Sequence, residues 1–550
     1  MQSFTLDAPA ASSGAARLFV NLWSLTEESH ALQVLLNGQP AGQATWSGGS
    51  RLLQLSFDIP SGSLHAGTNQ IELITPQLAG VENQISFLHS MSLSYTRLLD
   101  ASAPFEISVE GSTSKLFELH NLPSANAWIV DARFTDRAAL VPTQTQADAT
   151  GTYRLRFTAA PGGSGKYVVV PAGQENRPLS VTRRQIFAPR AGTYLATGPA
   201  QFGTGVQPLL MQHSREGLRA SFIDQEQLFD AYNFGRYGPA AIQSAVRALT
   251  PKYLLLLGRT TYDYRNYSGS GVDPLCPTFL VSTTNWAQAT SDSMFGDLGR
   301  GYPEVSVGRL PVNNTTELSG AVHNTVNYSG APTSGVRLHA VADRTDPTVA
   351  DFAAQSASLA QSHPSLTWQA NYLGVTHDTA PEVTAAMTAA ANGAADWLLY
   401  VGHGNASRLG KDAPRILDTD SVQAWTGSVV FLQSTCTANW MAKNETGYKS
   451  IAIQALTQPQ GGISASIASS TYMNSEPAVE FMGQLLRAAQ CSPRQRWGDA
   501  LRQTQVWAYL RGAGYNADLS RTEQIFGDPA LPVFSKSTGA QSATQSPGSF

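Results

Sequence analysis

Apolar and polar residues alternate through the first hundred positions of the chain. Leu53-Gln-Leu-Ser-Phe-Asp-Ile59 and Met91-Ser-Leu-Ser-Tyr-Thr96 keep a period of two, which sets one side of an extended strand on a core and the other in water. Similar runs at Ala16 to Leu22, Ala31 to Leu36 and Gln70 to Ile74 are separated by Asn37-Gly38, Ser47-Gly-Gly49 and Gly67-Thr-Asn69, the composition of tight turns. The pattern predicts a jelly-roll-like β-sandwich over residues 1–102. A second group of short strands, Phe105 to Val109, Trp128 to Asp131, Tyr153 to Phe157 and Tyr167 to Val170, predicts an immunoglobulin-like β domain over residues 103–185.

From about Arg184 the texture changes to strands alternating with helices, the pattern of a mainly parallel sheet in an α/β domain. Tyr194 to Ala196, Ala220 to Ile223, Tyr253 to Leu257, Leu338 to Ala342 and Gly462 to Ala468 read as strands, and Gln207 to Leu218 and Pro239 to Leu249 as helices. The chain is therefore multidomain, with the α/β domain over residues 186–535 and a disordered tail rich in Ser, Gly and Gln over residues 536–550.

Two further runs carry chemistry. Ala395 to Val401 leads into Gly402-His403-Gly404, and Ser428 to Gln433 leads into Ser434-Thr435-Cys436. Ligands of open α/β sheets bind beyond the carboxyl ends of the strands, so neighbouring strands ending in His and Cys bring imidazole and thiol to one rim. A thiol with an ordinary pKa near 8.5 is only slightly ionised at neutral pH, and an adjacent imidazole accepts its proton during attack. The glycines beside His403 let a backbone approach and free the Gly404 amide to donate to a developing oxyanion.

Composition narrows the partners. Charged residues make up 14% of the chain and the net charge is −4, which argues against nucleic acid. The three cysteines, Cys276, Cys436 and Cys491, are too few and too widely spaced for a disulfide framework or a Cys-rich zinc site. No apolar stretch approaches the roughly 18 residues of a membrane span, and the segment from Met1 to Asp7 lacks the basic and apolar regions of a signal peptide. Abundant Gly, Ser, Thr and Gln with sparse Lys nevertheless lean toward a secreted or cell-surface protein.

The series Leu257-Gly-Arg-Thr-Thr-Tyr-Asp263, Ser291-Asp292, Pro303-Glu-Val-Ser-Val-Gly-Arg-Leu-Pro311, Tyr400-Val-Gly-His-Gly404, Ser434-Thr-Cys436 and Gly527-Asp-Pro529 resembles the gingipain-type cysteine peptidases across roughly residues 190–535. The resemblance implies a caspase-like fold and cysteine endopeptidase activity through a Cys436/His403 dyad, with a thioester intermediate and a sortase-like transfer of the acyl group as a close variant. It maps the acidic residue that supports the histidine onto Glu304. It also puts a carboxylate for basic substrate side chains near Glu317, and implies structural calcium with Asp263 and Asp292 as candidate ligands. No cofactor is required for catalysis on this reading, and the partners are protein or peptide substrates. The alternative is a noncatalytic surface adhesion protein whose N-terminal β-sandwich binds a surface glycan.

Overall fold

The computed structural model describes residues 2–6, 16–134, 137–162, 164–178, 192–264, 266–267, 269, 274–439, 449–512 and 514–535. The chain divides into two compact units, Met1–Gln185 and Ile186–Phe550. The tail expected over 536–550 lies outside the described residues.

The first unit is built of antiparallel strands. Gln2–Leu6, Gly67–Ile74, Ser29–Leu36 and Gln39–Ser47 form one sheet, and Arg51–Ile59, Ala16–Ser24 and Ser86–Ser94 another. Leu18, Val20, Val34, Phe57 and Ile71 from the two sheets share one buried cluster, which is how period-two strands dispose of their apolar sides. Two further sheets, from strands between Phe105 and Pro171, enclose Leu119, Ile129, Leu155, Phe157 and Tyr167 in a separate cluster.

The second unit is organised by one sheet of ten strands. In chain order they are β1 Tyr194–Gly198, β2 Ala220–Asp224, β3 Tyr253–Leu257, β4 Ser306–Leu310, β5 Arg337–Ala342, β6 Thr367–Tyr372, β7 Trp397–Val401, β8 Ser428–Ser434, β9 Gly462–Ser469 and β10 Glu523–Gly527. Their order across the sheet is β2-β1-β3-β4-β10-β9-β8-β7-β5-β6. Neighbours from β5 through β9 are parallel, and β10 runs antiparallel to β9. Every residue of β3, β7 and β9 is buried, as expected for strands covered on both sides. Helices Gln207–Arg215, Thr315–Val326, Ala380–Ala389 and Ile451–Leu456 supply apolar residues to one face, and Phe352–Ser362, Ser475–Ala489 and Trp497–Leu510 to the other.

Local chemistry explains several boundaries. The helix expected over Gln207 to Leu218 stops at Arg215, because Gly217 takes a left-handed φ of 87° that turns the chain toward β2. The helix Ala380–Ala389 begins with a capping box between Thr379 and Glu382. Asp528, in the Gly527-Asp528-Pro529 segment, is buried and accepts from the Tyr194 hydroxyl at 2.9 Å and from His213 Nε2 at 2.8 Å, so the end of β10 is tied to the start of β1.

The sheet changes direction between β5 and β7. From β5 the chain moves outward to edge strand β6, whereas from β7 it steps the other way to β8 and β9. Connections leaving β5 and β7 therefore diverge, and the crevice beyond the strand ends there is where such sheets bind ligands.

Candidate active site

Cys436 and His403 are brought to adjacent strand ends by register. Val401 of β7 is paired with Ser434 of β8, and His403 and Cys436 each lie two residues beyond that pair. The turn carrying His403 is tightly enclosed. A methyl group on Gly402 would come 2.4 Å from Asp343 Cβ, and one on Gly404 would come 2.8 Å from Thr435 Oγ1. Only glycine fits on either side, because β5 and β8 both close in on this turn.

The imidazole is held from two sides. His403 Nε2 donates to Asp346 Oδ2 at 2.9 Å, and Phe352 packs edge-on against the ring at 5.1 Å between centroids. Asp346 follows β5 and is anchored by three more donors: Lys411 Nζ at 2.6 Å, Thr348 Oγ1 at 2.7 Å and the Thr348 amide at 3.0 Å. The Lys411 ammonium, helped by Thr348 and the imidazole, holds the Asp346 carboxyl well below the usual carboxylate range. It is thus ionised near neutral pH, and a carboxylate that only accepts favours the tautomer with the proton on Nε2. Nδ1 then keeps its lone pair.

Gly404 and Asn405 turn back in a short antiparallel ladder against Arg408 and Leu409, closed by the Gly410 amide on the His403 carbonyl at 2.9 Å. With His403 and Gly410 bonded, alternation makes Gly404 and Leu409 a non-hydrogen-bonded pair, leaving the Gly404 N–H outside the ladder.

The Cys436 thiol donates to the Met473 carbonyl at 3.7 Å. Burial pushes its pKa up, so the resting group is a neutral thiol. The chain after it is fixed by the Thr437 amide on the Thr471 carbonyl at 2.9 Å and the Asn439 amide on the Ser469 carbonyl at 3.1 Å. Thr437 takes a positive φ of 47°, which ends β8 in a sharp bend. Fully buried Asn439 bonds the Gln524 carbonyl at 2.8 Å and accepts from the Ser466 hydroxyl at 2.8 Å.

The sequence model of peptidase family C25 matches residues 188–534. The chain belongs to peptidase family C25, and it is a cysteine peptidase whose substrates are proteins or peptides. Among solved structures, it is similar to the complex of the pro- and mature domains of RgpB from Porphyromonas gingivalis, at 18% identity and a TM-score of 0.49, over 62% of this chain and 80% of that one. It is also similar to the Arg-specific cysteine proteinase gingipain R, at 17% identity and a TM-score of 0.49, over 64% and 80%. A third similarity is to dimeric latent PorU from Porphyromonas gingivalis, at 18% identity and a TM-score of 0.45, over 61% and 35%. No curated protein sequence matches the chain.

Within this C25 chain the structure corrects three expectations about carboxylates. Glu304, expected beside His403, precedes β4 and pairs with Arg300 Nε at 3.2 Å. Four strand spacings separate β4 from β7, about 19 Å at roughly 4.8 Å each, and the carboxylate on the imidazole is Asp346. Glu317, expected to meet basic substrate side chains, sits in the first turn of Thr315–Val326. Its oxygens are occupied by the Asn313 amide at 2.8 Å and Lys449 Nζ at 3.0 Å.

Asp292, expected as a calcium ligand, forms a bidentate pair with Arg309 at 2.7 Å to each oxygen and also accepts from Thr278. Asp263 Oδ1 accepts the Tyr267 amide at 2.8 Å. Among the described residues, no group of three or more His, Cys, Asp or Glu could hold a metal ion, and Asp292, with both oxygens on Arg309, does not fit the implied calcium. Arg309 is fully buried, and its remaining donors reach the carbonyls of Gly258 and Pro277. Asp292→Ala is expected to lower unfolding stability by about 3–5 kcal/mol, because it strands a buried guanidinium. Denaturant melts of the two proteins measure this directly.

Proposed function

We propose that the chain is an endopeptidase in which Cys436 is the nucleophile and His403 the base. Asp346 orients the imidazole, and the amides of Gly404 and Cys436 stabilise the oxyanion. The reading is carried by one observation: the Val401–Ser434 register brings His403 and Cys436 to the same level on adjacent strands, with Asp346 bonded to Nε2 of the imidazole. When a peptide enters, rotation about the Cys436 Cα–Cβ bond takes the sulfur from the Met473 carbonyl toward His403. Nδ1 accepts the thiol proton, the sulfur attacks the carbonyl, and the imidazolium then protonates the leaving amine. Water releases the thioester; an added amine competing for it distinguishes acyl transfer from hydrolysis. The composition of the chain supports a secreted or surface-associated enzyme.

Alkylation with iodoacetamide followed by peptide mapping tests the nucleophile. Loss of peptidase activity is expected to track modification of Cys436. Exposed Cys491 is expected to react without changing activity, and Cys276, buried with a pKa pushed up to about 11, to stay unmodified until the chain unfolds. Because burial raises the Cys436 pKa, less of it is thiolate near neutrality, and inactivation should quicken as the pH rises from about 7 to about 9. Inactivation that instead follows Cys491 overturns the assignment.

A further inference from the structure

The segment after β9 and the turn 283–286 meet beside the nucleophile. Thr471 accepts the Thr437 amide through its carbonyl and lies 3.3 Å from Thr283 Oγ1 through its hydroxyl, so one residue fastens the nucleophile loop to that turn. The turn is closed by Thr283, whose amide and hydroxyl both donate to the Trp286 carbonyl, at 2.8 and 3.0 Å. This brings the indole of Trp286 against the ring of Tyr472, with centroids 5.2 Å apart and planes inclined by 45°. Tyr472 immediately precedes Met473, whose carbonyl holds the thiol, and it remains 39% exposed. The Tyr472 phenol is pushed up chiefly by burial, as expected for a ring only part of which meets water.

Resting on the reading of Cys436 as nucleophile, we propose that Trp286 and Tyr472 form the wall against which the substrate residue preceding the scissile bond packs, and that they select a large uncharged side chain, aromatic or aliphatic. A tilted, partly exposed aromatic pair offers area and a face for packing, and gains most from apolar groups that leave water on binding. The carboxylate that meets this turn gives a cationic side chain no partner. Asp518 is buried, its Oδ2 takes the Thr284 amide at 2.9 Å and its Oδ1 pairs with Arg521 at 3.3 Å. Opening that pair for an incoming arginine would leave Arg521 without its carboxylate.

The test is a peptide library cleaved by the full chain and by Trp286→Ala, Trp286→Phe and Tyr472→Leu. The parent is expected to cut after Phe, Tyr, Leu or Met. Trp286→Ala should lower kcat/KM for those peptides about tenfold or more while changing peptides with Ala at that position by less than about threefold, since a small side chain reaches little of the wall. Trp286→Phe should recover most of the loss, and the rate of Cys436 alkylation should be the same in all variants. Cleavage after Arg or Lys, or an equal loss for large and small side chains, overturns the subsite and leaves the nucleophile assignment standing. A parent that cleaves no peptide, or whose cleavage survives complete alkylation of Cys436, overturns the nucleophile assignment and the subsite with it.

Discussion

Cys436→Ala is expected to remove peptide cleavage, with a fall in kcat/KM on the order of 10,000-fold or more, while the thermal unfolding of the chain stays close to that of the parent. The size follows from the chemistry, since without the sulfur no thioester forms and only binding and the oxyanion donors remain to act on water. Retention of the fold follows from the surroundings. The side chain makes one weak bond, to the Met473 carbonyl, whereas the bend after β8 is held by the backbone of Thr437 and by Asn439. Turnover of a fluorogenic peptide mixture by the purified variant is the deciding measurement. Activity within tenfold of the parent would remove Cys436 from the reaction.

Asp346→Asn should cost about 100- to 10,000-fold in kcat while Glu304→Gln leaves kcat unchanged. An ionised carboxylate on Nε2 fixes which ring nitrogen carries the proton. An amide can present either its oxygen or its NH2 group there, and the second orientation leaves Nδ1 protonated and unable to accept from the thiol. Lys411 loses its ion pair at the same time, but it is exposed and that loss costs little stability. Glu304 meets only an exposed arginine before β4, so its amide form disturbs no group at the strand ends of β7 and β8. The paired comparison is informative because both changes remove one negative charge. If Glu304→Gln were the slower enzyme, the carboxylate assignment would revert to the one the family resemblance implied.

The two halves of this site differed in how far the sequence revealed them. His403 and Cys436 were legible because each ends a continuous apolar run, and a strand buried on both faces has no other way to be written. Asp346 was not. It stands four residues beyond Ala342, the end of β5, and nothing in chain order shows that β5 packs against β7 while β6 is sent to the edge. The family resemblance supplied the need for a carboxylate but attached it to the wrong strand, because motif order does not encode the order of strands across a sheet. Asp292, read as a calcium ligand, turned out to be the partner of Arg309.

Strand β10 was missed for a different reason. Glu523 and Gln524 are polar yet fully buried, and burial pushes the Glu523 carboxyl well above the usual range, so a hydrophobic pattern could not mark them. Strand β6 was missed because its edge position leaves four of its six residues in contact with water.

The position of β10 governs the order in which this enzyme can be made. Residues 523–527 lie between β4 and β9, at the middle of the sheet. A ribosome delivers them after every other strand, so both halves of the sheet wait with bare edges until the last of these residues emerges. Cys436 reaches solvent roughly ninety residues before the strand that welds its half to the other, and Asn439, which steadies the bend behind it, bonds to the backbone of Gln524. A nascent chain that has not reached residue 524 therefore carries Cys436 without the backbone partner of Asn439, so the thiol is made long before the bend behind it is fully braced.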